Sequence, residues 1–337
     1  MPTITYPEEL PQRVDKFLAK KYPEFSRRFF QDGLKNKEIL INGKSKSPSY
    51  KLKEGDEIEI KLSLKKPAKI TELPPNEKVS IEVVAKYPDF LIINKPVGLV
   101  VHPSIFDVRN NSIPPTLAGG LIAEFPELQK VGEDFTRPGI VHRLDKNTSG
   151  LMIVPLTQKS FEEFKKMFRH HLITKTYLAL SWNLQKGVAN PKSYKEPKLY
   201  KTISTPIGKS TKEHTKQATA KNPGRLINPK EAITLYKIIG YDKFPCRHKV
   251  GKIKKQEKTV ALIKAKPQTG RKHQIRVHLS SIGLPLVGDS QYTSRLLKNC
   301  NKNFPYHLLQ AHKLEFTYRG KKYSFTAPAP EWLENDS

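Results

Sequence analysis

Two short segments hold the densest clusters of residues able to do chemistry in this chain of 337 residues. The first runs Arg137-Pro-Gly-Ile-Val-His142-Arg143-Leu144-Asp145-Lys146-Asn-Thr148-Ser149-Gly150 and sets one carboxylate between cations. Neighbouring positive charge favours the ionised form of a carboxylate, which suits a nucleophile or a base better than an acid. Ile140-Val141 before it and Leu151 to Val154 after it read as strands, so Asp145 is expected in a loop between them. The second segment is Thr269-Gly270-Arg271-Lys272-His273-Gln274-Ile275-Arg276-Val277-His278. Here a turn leads into an expected strand over Ile275 to Leu279, with Arg276 and His278 on one side and the apolar residues on the other. An arginine projecting beside a core can pair a carboxylate. His273 and His278 have a spacing unsuited to a helical metal pair, and no acidic or thiol ligand accompanies them.

Other chemistries find less support. Zinc-dependent base deamination needs HxE and PCxxC patterns, and Pro245-Cys246 continues as Arg-His-Lys. Cys246 and Cys300 are the two cysteines, and without a CxxC they give no sequence basis for a zinc ribbon or a redox pair. Pro96-Val97-Gly98 offers one glycine, too few for a phosphate cradle.

The segments need a scaffold to hold them. Val79 to Val84 and Phe90 to Ile93, broken by Pro88-Asp89, predict a hairpin. Phe161, Phe164, Met167 and Phe168 predict an amphipathic helix over 160–169 with Thr157 or Ser160 at its cap. Residues 183–258, rich in lysine and proline, predict long basic loops around one clear strand from Ala232 to Ile239. Strand character resumes at Val260 to Ile263 and Leu314 to Tyr318. Before all of this, Val14, Phe17 and Leu18 begin a compact unit over 11–62 with the order helix, helix, strand, turn, strand. Ser26 can cap its second helix, and Asn42-Gly43 and Gly55-Asp56 mark its turns. Three prolines in 63–78 predict a linker. The fold class expected is α+β: a mixed, largely antiparallel sheet domain over 79–330, preceded by a small module.

The 60 Lys and Arg against 32 Asp and Glu leave a net charge of +28, which points to a polyanionic partner. No stretch approaches the roughly 18 consecutive apolar residues of a membrane span. The start, MPTITYPEELPQR, lacks the pattern of a secretory signal, so the expectation is a cytoplasmic protein with no membrane partner.

Four segments resemble, in order, the motifs of the RluA-type pseudouridine synthases: NKPVGLVVHP at 94–103, HRLDKNTSG at 142–150, KTYLAL at 175–180 and TGRKHQIRVHLSSIGLPLVGD at 269–289. The resemblance implies that Asp145 is the catalytic aspartate, that Tyr177 lies against the target base and that Arg276 pairs with Asp145. It implies that Arg143 fills the gap left by a flipped uridine, with His142, Leu144, Arg271 and His273 also along the substrate. The reaction moves uracil from an N1 to a C5 linkage, so the resemblance implies no cofactor and no metal. Residues 13–60 resemble an S4 RNA-binding domain, in which Arg27, Arg28, Lys35 and Lys37 are expected to meet phosphates. An S4 module joined to this catalytic type implies a monomer acting on large-subunit ribosomal RNA. The competing readings are transfer RNA as substrate, or an inactive RNA-binding assembly factor, and the presence of Asp145 argues against the latter.

Overall fold

The computed structural model describes residues 3–8, 10–62, 64, 70–104, 107–108, 112–185, 195–211, 213, 215–219, 226–247 and 255–334. Contacts group the chain into two units, Met1–Leu73 with Pro103–Pro114, and Pro74–His102 with Pro115–Ser337. The expected linker at 63–78 falls partly outside the described residues.

In the first unit, β1 (Thr3–Thr5) and β2 (Gln12–Arg13) precede helices α1 (Val14–Lys21) and α2 (Arg27–Lys35), followed by β3 (Ile39–Ile41), β4 (Lys51–Leu52) and β5 (Glu57–Ile60). Ser26 caps α2 by accepting the Phe29 N–H at 3.1 Å, and Asn42 and Gly43 take the positive φ values, 50° and 69°, that the turn requires. Val14, Leu18, Phe30, Leu34, Ile39, Ile41 and Ile58 close one core. β1, absent from the sequence expectation, pairs with β5 along Thr3 to Thr5. Three residues with a single buried side chain carry too little pattern to be read as a strand.

The second unit is built on a nine-stranded sheet. Its strands are β6 (Glu82–Lys86), β7 (Phe90–Lys95), β8 (Ser149–Pro155), β9 (Thr174–Trp182), β10 (Lys201–Ser204), β14 (Ile233–Arg247), β15 (Lys255–Pro267), β16 (Leu309–Tyr318) and β17 (Lys321–Thr326). The order is β10-β14-β15-β9-β16-β8-β7-β6, with β17 on β16. Every ladder is antiparallel except β8 with β16, which agrees with a mixed, largely antiparallel α+β fold. The helix at Gln158–Arg169 has Thr157 as its cap in a reciprocal box with Ser160. Its Phe164 and Met167 pack with Phe90, Ile92, Leu151, Ile153 and Phe316.

Three expectations need correction, besides the strand read at Ile140-Val141, which belongs to no described strand. First, residues 274–281 form a helix, not a strand. All six residues from Gln274 to Leu279 are buried, so no polar face marks the helical period. The local signal lies upstream, where Gln274 Oε1 accepts from the Thr269 hydroxyl at 2.8 Å and the Arg271 N–H at 2.9 Å. Second, the described residues of 183–258 are mostly strand, adding β11 (Ile207–Ser210), β12 (Gln217–Thr219) and β13 (Leu226–Lys230) as a small sheet, while part of the expected basic loops lies outside the described residues. Ile203, Ile207 and Leu226 are buried there among exposed lysines, too sparse a pattern to read from sequence. Third, Cys300 is buried and disulfide-bonded, which the cysteine spacing did not suggest. No described helix is long and apolar enough to cross a membrane.

Candidate active site

Asp145 occupies the loop entering β8, where its carbonyl accepts the Thr148 N–H at 3.1 Å and so closes a tight turn. Two devices fix that loop. Gly150 has φ 112°, and a Cβ there would lie 2.3 Å from the Ala311 carbonyl oxygen, so only glycine lets β8 approach β16 this closely. Lys95, fully buried, donates to the carbonyls of Pro96 at 2.6 Å, Leu99 at 3.0 Å and Lys146 at 3.2 Å. Its ammonium thereby ties the loop after β7 to the residue beside Asp145. Burial pulls Lys95 down to about 8, and the Asp145 charge works against that shift.

The carboxylate faces the buried helix at 274–281. Arg276 donates from Nη1 to Asp145 Oδ2 at 3.3 Å. Its other nitrogens hold the fork still: Nε and Nη2 reach the two oxygens of Asp289 at 2.8 and 3.0 Å, and Nη2 also reaches Gln291 at 3.1 Å. Burial alone would raise the Asp289 pKa, but the Arg276 hydrogen bonds and charge, with the N–H groups of Tyr292 and Gln291, outweigh it and hold Asp289 below the usual carboxylate range. The guanidinium also lies 4.9 Å from the Tyr292 ring centroid. Arg276 therefore joins a sealed carboxylate, Asp289, to one 27% exposed, Asp145. Only the second is open to a substrate.

Strand register places Tyr177 opposite Ala265 on one side and Ala311 on the other, and Ala311 opposite Gly150. Tyr177 thus has one-carbon neighbours on both flanking strands. Burial pushes its hydroxyl above the ordinary tyrosine range, and the Asp145 charge pushes it further. A neutral phenol beside an aspartate offers a flat face and a proton donor.

His273 precedes the helix in a left-handed conformation, φ 57°. Its Nε2 is 3.8 Å from Asp145 Oδ1, and its Nδ1 is 2.7 Å from the Tyr292 hydroxyl. His307, 4% exposed, contacts the Thr148 hydroxyl at 2.9 Å and is pushed down by burial to about 4. Both imidazoles stand neutral around the carboxylate, since burial also pushes His273 down to about 4, with Asp145 working against it.

The remaining candidates divide. Arg143 is exposed and lies 2.7 Å from His102 Nε2. His142 turns inward: its Nε2 accepts the Ile153 N–H at 2.9 Å, its ring stacks on Phe168 at 4.3 Å, and burial drives it down to about 3. Leu144 is buried. Arg271 donates to the Glu231 carbonyl at 2.8 Å. In the first unit, Arg27 is committed to Asp15, donating at 2.8 and 3.0 Å to a carboxylate with no exposed surface. Arg28 sits 3.5 Å from Asp32, while Lys35 and Lys37 are exposed. Among the described residues, no group of three or more His, Cys, Asp and Glu side chains could hold a metal. Lys95, Asp289, Gln291 and Tyr292 had no assigned part in the sequence reading. Lys95 and Asp289 had a signal, since Lys95 lies in the first recognised motif and Asp289 closes the last.

A carboxylate gripped by a buried arginine, beside a tyrosine on a mixed sheet, forms the candidate active site. Residues 89–281 match the RNA pseudouridylate synthase family, and residues 12–58 match the S4 domain. An uncharacterized RNA pseudouridine synthase of Aquifex aeolicus is 31% identical across 97% of this chain and 95% of its own. The ribosomal large subunit pseudouridine synthase D of Neisseria meningitidis is 30% identical across 97% of this chain and 78% of its own. Among solved structures, human RNA pseudouridylate synthase domain containing 1 shares the fold, with a TM-score of 0.55 at 24% identity over 76% of this chain and 86% of that one. The chain belongs to the RNA pseudouridylate synthase family and carries an N-terminal S4 domain.

Proposed function

We propose that this pseudouridine synthase acts on uridines of large-subunit ribosomal RNA in the cytoplasm, with Asp145 as its catalytic carboxylate. The observation that carries the site assignment is the pairing of Asp145 with Arg276 next to Tyr177. The substrate assignment rests on similarity to synthases named for the large ribosomal subunit and on the S4 domain.

The geometry suits the isomerisation. The N1–C1′ bond breaks, uracil turns within the site, a C5–C1′ bond forms, the C5 proton leaves and N1 takes up a proton, so the product is an isomer of the substrate. Both attack on the sugar carbon and removal of a sugar proton need an ionised carboxylate, which Arg276 stabilises at Oδ2. Tyr177 supplies a flat surface for the extracted base. Arg143 enters the vacated stack in this reading, which its exposure beside His102 supports. In the S4 domain, Lys35 and Lys37 on the surface meet phosphate, while Arg27 secures Asp15. Mapping pseudouridine in total RNA from cells with and without the gene tests the substrate. Loss confined to large-subunit ribosomal RNA supports the proposal, and loss confined to transfer RNA rejects it.

A further inference from the structure

We propose that Tyr292 and His273 form a hydrogen-bonded pair that presents an N–H to Oδ1 of Asp145, making both positioning residues for the catalytic carboxylate. This deepens the reading above and rests on Asp145 being that carboxylate.

One donor at this pair has no second role. The backbone N–H of Gln217 reaches the Tyr292 hydroxyl oxygen at 3.0 Å. A backbone N–H can only donate, so the hydroxyl accepts there and keeps its own proton to give away. His273 Nδ1, 2.7 Å off, is the acceptor it meets. A neutral imidazole accepting at Nδ1 carries its proton on Nε2, and Nε2 is the atom that faces Asp145 Oδ1 at 3.8 Å. That separation exceeds a hydrogen bond, so the N–H acts as a dipole aimed at Oδ1.

The backbone supports this aim. His273 adopts φ 57°, uncommon for a residue with a side chain, and it immediately precedes the helix that carries Arg276. One helix start thus addresses both oxygens, Arg276 at Oδ2 and His273 at Oδ1. Tyr292 links the two grips, because its ring lies under the Arg276 guanidinium and its N–H donates to Asp289 at 3.0 Å. Burial, opposed by the Asp145 charge, holds His273 neutral near neutral pH, as a single defined tautomer requires.

Nitrogen-15 NMR of the full chain with labelled histidine tests the assignment directly, the His273 signals being identified by their loss in His273→Gln. The expected result is an unprotonated Nδ1 with a protonated Nε2, and a mixture of tautomers in Tyr292→Phe. A protonated Nδ1 in the unmodified chain would overturn the proposal. Single-turnover kinetics provide the functional arm. Tyr292→Phe and His273→Phe should each lower kcat about tenfold with KM unchanged, while His273→Gln, whose amide can present an N–H near the same place, should recover most of that loss. A glutamine variant no better than phenylalanine, or a Tyr292→Phe enzyme with full kcat, would also overturn it. An unmodified chain that makes no pseudouridine would instead reject the reading of the reaction, with the tautomer still decided by NMR.

Discussion

Replacing Arg276 by alanine should separate the structural and catalytic halves of its job. Arg276 makes two bonds to Asp289, one to Gln291 and one to Asp145. The Asp289 side chain has no exposed surface, so removing its partner strands a buried charge, at a cost of about 3–5 kcal/mol in stability. The Asp145 contact is longer, 3.3 Å, and its carboxylate is 27% exposed, so a charge-assisted bond there is worth about 1.5–3 kcal/mol. Turnover should then fall about ten- to a hundredfold. RNA affinity should change little, since the guanidinium is committed to carboxylates and an amide. Arg276→Lys sharpens the test: one ammonium cannot span Asp145, Asp289 and Gln291 together, so part of the stability should return without the turnover. Tritium release from uridine labelled at C5, under single-turnover conditions, gives the rate, and thermal melting gives the stability. A variant that binds RNA weakly yet turns over normally at saturation would refute the reasoning and place Arg276 on the RNA backbone.

Gly150→Ala should melt well below the unmodified chain, because its Cβ would meet the Ala311 carbonyl at 2.3 Å in a backbone already at φ 112°; an unchanged Tm would show that β8 can move away without consequence. Stability should weaken in mild acid. The His307 pKa is about 4 in the fold against an ordinary 6.5, so the unfolded chain binds the extra proton first, and its contribution is whole above pH 6.5 and lost as pH falls toward 4. The loss is about 1.4 kcal/mol per pH unit, on the order of 3 kcal/mol in all. Urea midpoints at several pH values should therefore show a slope reduced by one proton in His307→Gln, and identical slopes would contradict the burial argument. Lys35→Gln with Lys37→Asn should make the salt dependence of RNA affinity shallower by roughly 1.4, two contacts at about 0.7 each. Arg27→Ala should instead destabilise the S4 domain through Asp15; salt slopes changed only by Arg27→Ala would reverse these roles.

Much of this organisation was legible where side chains face two different environments. The S4 domain helices and the helix capped by Thr157 each carry an apolar face and a polar one, so their periods show, while β7 shows as a short apolar run set off by Pro88-Asp89. The helix at Gln274–Ser281 does not, because burial on every side erased the contrast, and the alternation of Ile275, Arg276, Val277, His278 and Leu279 imitated a strand. The pairing of Arg276 with Asp145 was still expected, since it rested on motif resemblance, not on the element. The holders of the site were less visible. Lys95 reads as a surface cation until its three carbonyl partners are seen, and the links from Tyr292 to His273 and Gln217 join residues distant in sequence. His142 and Arg27 carry the chemistry of ligand contacts yet spend it on Ile153 and Asp15. Side-chain type indicates what a residue can do, and only packing assigns its partner.

The central claim is that the Asp145 carboxylate carries the reaction, and Asp145→Asn tests it most directly because the amide keeps the shape and removes the charge. The measurement is pseudouridine formed in a single turnover on ribosomal RNA lacking the modification, with RNA binding and melting followed on the same preparation. The expected result is a folded protein that binds RNA normally and forms no detectable pseudouridine. Substantial turnover by that variant would contradict it.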